Sequence, residues 1–316
     1  VKVLIWQTAY LGDVILTTPL IRTVREELSA SKITFVGRPF IEELFSGWDI
    51  ELIPFNKGFL ESFKIVRKIK DHDVAVVPHR SLRTALIIMT SRIPVRVGFD
   101  RSEFPSAFTH RVEHRWNMHE VDRNLELLKP LGVSKFIRDT YLPLSDEEKD
   151  KTLTGFGLKD EEYIVINPFS NFPLKEPDPG LWLDLIDLLY PLRVVITGVA
   201  RDRERSKEFE KKKGVLNLTG KTSLRELMAV ISGAKLLISC DSSPVHIAGA
   251  LGTPAVTLYT STSPDYGFYP LRGSYIVNPA PCSPCSPNPK RCPRGTLECR
   301  YSLRSQAVFQ SIKKFL

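Results

Sequence analysis

Short apolar runs alternate with longer amphipathic stretches along the whole 316-residue chain, and the series starts twice. The first series predicts strands over 3–6, 33–36, 50–54, 74–77 and 96–99, with helical patterns such as 14–28 and 59–70 between them. A helix-like stretch over 121–130 and a polar bridge over 144–160 follow. The second series predicts strands over 163–167, 193–197, 216–218, 236–239 and 255–259, and residues 302–316 read as a terminal helix. Strands that alternate with helices imply βαβ units and parallel sheets. Two starts imply two such sheets, hence an α/β chain with domains over 1–150 and 151–316. A length of this order also favours about two domains.

In open α/β sheets the turns that follow the strands face the ligand crevice. The first turn runs Trp6-Gln7-Thr8-Ala9-Tyr10-Leu11-Gly12-Asp13-Val14. It holds one glycine, Gly12, where a dinucleotide-binding turn needs G-x-G-x-x-G, which disfavours a dinucleotide oxidoreductase. Asp13 reads in two compatible ways. It suits the N-cap of the first helix, and at a crevice rim it suits a general base that takes a hydroxyl proton.

In the second half, the strand ending at Cys240 runs into Asp241-Ser242-Ser243-Pro244-Val245-His246, followed by Ala248-Gly249-Ala250-Leu251-Gly252-Thr253-Pro254. Asp and Ser favour helix starts and Pro suits the first helical turn. A helix N-terminus with hydroxyls and an imidazole beside it is a ready phosphate site. The turn after 163–167, Pro168 to Lys175, adds Ser170, Asn171 and a lysine suited to neutralising a diphosphate. Pro78-His79-Arg80-Ser81-Leu82-Arg83 follows a strand of the first half, and His79, Arg80 and Arg83 are ligand-contact candidates.

Charge sharpens this reading. The net charge is +8. Residues 1–150 hold 22 Lys/Arg against 21 Asp/Glu, and the remainder 22 against 15. Such a balance suits phosphate-rich ligands or an anionic membrane. No aromatic-plus-basic reading motif supports nucleic acid as a partner. Phe59, Phe63, Val66 and Ile69 share one helical face, expected to pack on the sheet. Lys64, Arg67, Lys68 and Lys70 lie elsewhere on that helix, either solvated or set against anionic lipid or the phosphates of a ligand. No apolar run approaches the roughly 18 residues of a membrane span. The opening strand lacks a basic segment followed by an apolar one, so a cytoplasmic protein is expected.

Cys282-x-x-Cys285, Cys292 and Cys299 stand apart from these turns among prolines 281, 284, 287, 289 and 293. Four thiolates suffice for zinc, and disulfides or free thiols fit equally. A structural role is expected in each case.

Taken together, Gly12-Asp13-Val14 with Thr17, Thr18 and Pro19, the segment Leu218-Thr219-Gly220-Lys221-Thr222-Ser223-Leu224, and the Asp241-Ser242-Ser243-Pro244-x-His246 turn resemble the bacterial lipopolysaccharide heptosyltransferases, glycosyltransferase family 9. The resemblance covers essentially the whole chain and leans toward the second heptosyltransferase. It implies a GT-B fold, two Rossmann-like domains with parallel sheets facing a central cleft. It implies an ADP-heptose donor, a lipid A inner-core acceptor met by a peripheral protein at the anionic inner face of the inner membrane, and inversion at the anomeric carbon with no catalytic metal or other cofactor. Asp13 would be the base and Lys175 would stabilise the leaving ADP. Gly12, Ser170, Asn171, Asp241, Ser242, Ser243 and His246 would hold the donor, with Asp202 and Thr222 near its ribose and adenine. His79, Arg80 and Arg83 are then acceptor-contact candidates, and the basic side of the 59–70 helix has the acceptor's phosphates as an alternative partner to anionic lipid. The sequence departs from the family pattern at Ser242-Ser243, where a glycine often occurs, and at Glu176-Pro177 after Lys175. An epimerase or hydrolase of nucleotide sugars on the same scaffold is the rival reading.

Overall fold

The computed structural model describes residues 1–316 apart from the side chain of Phe59. The chain divides into two compact units, Val1–Pro143 and Leu144–Leu316.

The first unit holds strands β1 (Lys2–Trp6), β2 (Lys32–Gly37), β3 (Glu51–Pro54), β4 (Val74–Val77), β5 (Val95–Phe99) and β6 (His110–Val112). They form one parallel sheet in the order β3-β2-β1-β4-β5-β6. Its helices are α1 (Leu11–Ile15), α2 (Thr18–Glu27), α3 (Ile41–Leu44), α4 (Phe59–Ile69), α5 (Leu82–Thr90) and α6 (Glu120–Glu126). The central strands are Val/Ile-rich and buried along almost their whole length, as a parallel sheet covered on both faces requires. Trp6 and Phe55 meet edge-to-face at 5.4 Å in a core that also takes Ile65, Ile69, Ile88 and Phe108.

The second unit repeats the plan. Its helices are α7 (Asp146–Gly155), α8 (Pro179–Leu189), α9 (Arg203–Ser206), α10 (Leu224–Ser232), α11 (Pro244–Leu251), α12 (Glu298–Tyr301) and α13 (Ser305–Ile312). Strands β7 (Tyr163–Asn167), β8 (Arg193–Ile196), β9 (Val215–Asn217), β10 (Leu236–Cys240), β11 (Ala255–Tyr259) and β12 (Gly273–Val277) form a parallel sheet ordered β12-β11-β10-β7-β8-β9. Counted within each unit, both sheets run 3-2-1-4-5-6, the doubly wound order whose switch point lies between the first and fourth strands. Two Rossmann-like units of this kind are the GT-B architecture. α13 packs against α8, with Val308 and Ile312 in the core beside Trp182, Leu185 and Ile186.

Four sequence expectations are corrected. The helix expected over 14–28 is two helices, because Pro19 suits only a first turn, and Leu16 and Thr17 break the run. The freed carbonyls of α1 are met by Thr17 Oγ1 on Asp13 O at 2.8 Å, Thr18 Oγ1 on Ile15 O at 2.7 Å, and Asn124 Nδ2 on Leu16 O at 3.3 Å. The polar bridge contains a helix, α7, whose N-cap Ser145 accepts the Glu148 N–H while the Glu148 carboxylate reaches back to Ser145. Two edge strands, β6 and β12, escape the sequence reading because much of each faces solvent. On α4 the inward side is set by Ile65 and Ile69, with Val66 half-buried, so Phe63 faces outward rather than into the core. The side chain of Phe59 lies outside the described residues.

Candidate active site

In each unit the turns after the first and fourth strands meet at the switch point, and these turns carry most of the residues singled out from sequence.

In the first unit, the turn after β1 leads into α1. Asp13 is the third residue of that helix rather than its N-cap, which is Tyr10. The Asp13 carboxylate accepts the Tyr10 N–H at 3.2 Å, so it still satisfies an orphan donor of the helix start. Gly12 is buried and Asp13 half-buried. The turn after β4 supplies His79, whose Nδ1 lies 3.1 Å from Thr8 Oγ1 and 2.9 Å from Thr84 Oγ1. That pair of contacts ties the two turns together across the switch point. Burial, then the cations Lys57, Arg38 and Arg80, push the His79 imidazole down to about 4, so it is neutral at pH 7. Arg80 stacks over the Trp116 ring at 5.2 Å. Arg83 donates to the carbonyl of Lys57.

Sequence reasoning missed four groups here. Arg38 donates through Nε to Thr8 O at 3.1 Å and lies over the Tyr10 ring at 5.6 Å. Lys57 feels both Arg38 and Arg83, and burial first, then these charges, lower its ammonium pKa. Cations gathered in this way form an anion-receptive surface. Glu120, in the first turn of α6, is buried and paired with the buried guanidinium of Arg123. Arg123 also donates to the carbonyls of Arg115 at 2.8 Å and Met118 at 2.8 Å. Burial raises the Glu120 carboxyl to about 7 against the opposing pull of Arg123, and the Asp13 charge adds to the rise. Nothing in a lone Glu at a helix start distinguishes it from an ordinary dipole-facing acid, so no sequence signal marks this role.

In the second unit, the turns after β7 and β10 meet in a salt bridge. Lys175 Nζ lies 2.8 Å from Asp241 Oδ2, and both side chains are largely covered. The same carboxylate oxygen accepts from Thr262 Oγ1 at 2.8 Å. Ser242 Oγ accepts from Asn167 Nδ2 at 2.9 Å. Ser243 is the N-cap of α11, but its side chain makes no capping bond. Asp241 and Ser242 thus turn sideways, toward neighbouring elements, and Ser243 makes no capping hydrogen bond at the positive end of α11. His246 is buried inside the first turns of α11 and meets Phe268 edge-on at 6.3 Å.

The turn after β7 is built around a carboxylate that the sequence marked only as a departure. Glu176 is buried, accepts the Ser170 N–H at 3.0 Å and pairs with Arg205. The Arg205 guanidinium lies over the Phe169 ring at 4.9 Å and reaches Asp202 Oδ1 at 3.3 Å. Asp202 is itself buried and accepts the Val199 N–H at 3.3 Å, so its carboxylate serves this network. Asn171 Oδ1 accepts from Arg201 at 2.6 Å, which brings a second cation to the loop. Thr222 stands half-buried just before α10, apart from these contacts.

Four of the cysteines lie outside both turns, whereas Cys240 ends β10 and its thiol donates to Phe169 O at 3.2 Å. All five are free thiols, with Cys240 and Cys299 buried. Among the described residues no group of three or more His, Cys, Asp or Glu is arranged to hold a metal ion. No helix among them is long and apolar enough to cross a membrane.

Residues 62–294 match the family model described as glycosyltransferase family 9 (heptosyltransferase). Lipopolysaccharide heptosyltransferase 3 of Escherichia coli (strain K12) is 27% identical over 288 residues, which cover 82% of each chain. The solved structure of the E. coli ADP-heptose lps heptosyltransferase II superposes with a TM-score of 0.79 at 24% identity, over 100% of this chain and 98% of that one. The E. coli heptosyltransferase WaaC with ADP-2-deoxy-2-fluoro heptose superposes with a TM-score of 0.73 at 22% identity, over the whole of both chains.

Proposed function

The chain belongs to glycosyltransferase family 9 (heptosyltransferase), and from that premise we propose that it moves a heptose from ADP-heptose to the lipopolysaccharide inner core, with inversion at the anomeric carbon. The observation that carries this reading is the Lys175–Asp241 pair beside the N-terminus of α11, at the switch point of the second sheet. That is where an α/β unit binds a phosphate-bearing ligand.

The chemistry divides between the units, with the first serving the acceptor and the second the donor. As the bond from the anomeric carbon to the diphosphate breaks, negative charge grows on the leaving ADP. Lys175 and the positive end of α11 stabilise that charge. Asp241 holds Lys175 in place, and a carboxylate so occupied is better suited to aiming the lysine and meeting sugar hydroxyls than to touching phosphate. Glu176 and Arg205 shape the loop that presents Ser170 and Asn171. In the first unit, Asp13 takes the proton of the attacking acceptor hydroxyl. Arg38, Lys57, Arg80 and Arg83 receive the anionic groups of the acceptor, and neutral His79 orients the turn. One displacement, with attack opposite to the departing diphosphate, inverts the anomeric centre.

The test is ADP release from ADP-heptose with and without a lipid A acceptor bearing Kdo or heptose. Release that needs the acceptor, with heptose appearing on it, supports the transferase. Equal release without acceptor gives the site to a hydrolase or epimerase, and no release rejects the donor.

A further inference from the structure

Five large apolar side chains stand in solvent on two helices that pack side by side in the first unit. On α4, Leu60 is 73% exposed and Phe63 61%. On α5, Leu82 is 45%, Leu86 41% and Met89 40% exposed. The two helix starts are tied together by Arg83, which donates to the Lys57 carbonyl. The inward sides of both helices are already satisfied by Ile65, Ile69, Ala85, Ile87 and Ile88, so the outward residues are not a displaced core.

The charge beside this patch on α4 is mainly positive, while at the start of α5 the exposed Glu103 is engaged by the Leu82 N–H at 2.7 Å. α4 carries Lys64, Arg67 and Lys68 among its exposed residues, and Lys70 follows it. Its single acid, Glu61, is turned back to accept the N–H groups of Asn56 at 3.0 Å and Gly58 at 3.1 Å. A second copy of the chain would bring these cations against one another. A neutral apolar partner would leave them without counter-charges. A bilayer of anionic lipid answers both features at once, with acyl chains below and phosphates at the level of the ammonium and guanidinium groups.

We infer that the outward faces of α4 and α5 dock on an anionic bilayer, with Leu60, Phe63, Leu82, Leu86 and Met89 entering the interface and Lys64, Arg67 and Lys68 meeting lipid phosphates. This deepens the reading above and rests on it for why a bilayer is met at all, since the acceptor there is a lipid. The docking face adjoins Lys57 and Arg83, so a lipid-borne acceptor arrives beside the cations assigned to it.

The experiment is co-sedimentation of the full chain with vesicles, without donor or acceptor, so that its outcome is separate from that of the transfer assay. Vesicles of phosphatidylcholine with one quarter phosphatidylglycerol are compared with phosphatidylcholine alone. The wild type should bind the anionic vesicles and release as salt rises. Lys64→Gln/Arg67→Gln/Lys68→Gln should weaken binding by about fivefold per charge removed. Leu60→Ser/Phe63→Ser and, independently, Leu86→Ser/Met89→Ser should each lower binding tenfold or more, while turnover on a water-soluble delipidated acceptor stays at the wild-type level. Wild-type protein that ignores anionic vesicles at low salt overturns the inference, as does binding that none of the three variants changes. Self-association in sedimentation equilibrium that Leu60→Ser/Phe63→Ser abolishes would give the face to a second copy and overturn it as well.

Discussion

Lys175 and Asp241 come from turns 66 residues apart in sequence, yet their Nζ and Oδ2 atoms lie 2.8 Å apart at neighbouring strand ends of one sheet. If the pair works as a unit on the leaving diphosphate, its members should not act independently. Lys175→Ala is expected to lower kcat by about 10²–10³-fold, the scale of one lost transition-state donor. Asp241→Asn should cost less, and the double variant should be little worse than Lys175→Ala alone. Steady-state ADP release measures all three, and strictly additive losses would show that the two residues serve separate ends.

Asp13 has two roles that one substitution pair can separate. Asn keeps an oxygen that can accept the Tyr10 N–H, whereas Ala does not. Both Asp13→Asn and Asp13→Ala should nearly abolish transfer while leaving donor affinity close to unchanged in calorimetry. Only the Ala variant should lose stability, by about 1 kcal/mol, as for other helix-start contacts. Loss of donor binding in Asp13→Asn would make the carboxylate part of the donor site instead of the base.

The pH dependence of stability has opposing contributions from one unit. His79 and His114 are both pushed down to about 4, chiefly by burial. Their stabilising contribution is present above 6.5 and is lost as pH falls from 6.5 toward 4. Glu120 is raised to about 7, so its contribution is present below 4.5 and is lost as pH rises from 4.5 to 7. Between these limits the two histidines outweigh the one glutamate, and stability should increase with pH. Glu120→Gln removes the opposing slope, which is at most about 1.4 kcal/mol per pH unit. The difference in melting temperature between pH 5 and pH 7 should therefore widen in that variant. An unchanged or narrower difference would mean that Glu120 is ionised throughout.

Gly198 ends the strand β8 side of the second site. A Cβ there would sit 2.6 Å from the Phe169 ring and 3.0 Å from Thr219 Cγ2. Phe169 is buried and carries Arg205 on its face, so it has little room to move. Gly198→Ala should destabilise the protein by about 1–3 kcal/mol through overpacking. It should also raise the KM for the donor more than it lowers kcat, because the strain falls on the loop that presents Ser170 and Asn171. Equal KM values for the two proteins would show that the loop absorbs the methyl group.

The central strands were readable because each is a continuous Val/Ile run bounded by turn residues, and burial on both faces leaves such runs no other use. The turns of the candidate site were readable for the same reason: a parallel sheet favours ligand sites at its strand ends, whatever the loop contains. The strands β6 and β12 were not, since each is half in solvent and lacks an apolar run. Phe63 misled because four aromatic and aliphatic residues at helical spacing describe a face without saying which way it points. The roles of Glu176, Arg205 and the Glu120–Arg123 pair were invisible for a different cause. Their meaning lies in desolvation and in partners such as Arg205, 29 residues from Glu176, and neither is written in local pattern.

The common strand order of the two sheets bears on how such an enzyme can change over time. Each switch point is held by its own buried sheet, while the residues proposed to meet ligand sit on turns beyond the strand ends. Turns can therefore be lengthened, shortened or exchanged in one unit without disturbing the core of that unit or the chemistry of the other. Under the proposed division of labour, a change of acceptor need touch only the turns after β1 and β4, and a change of donor only those after β7 and β10. A lineage built on this plan can diversify its sugars and its acceptors as two nearly independent traits.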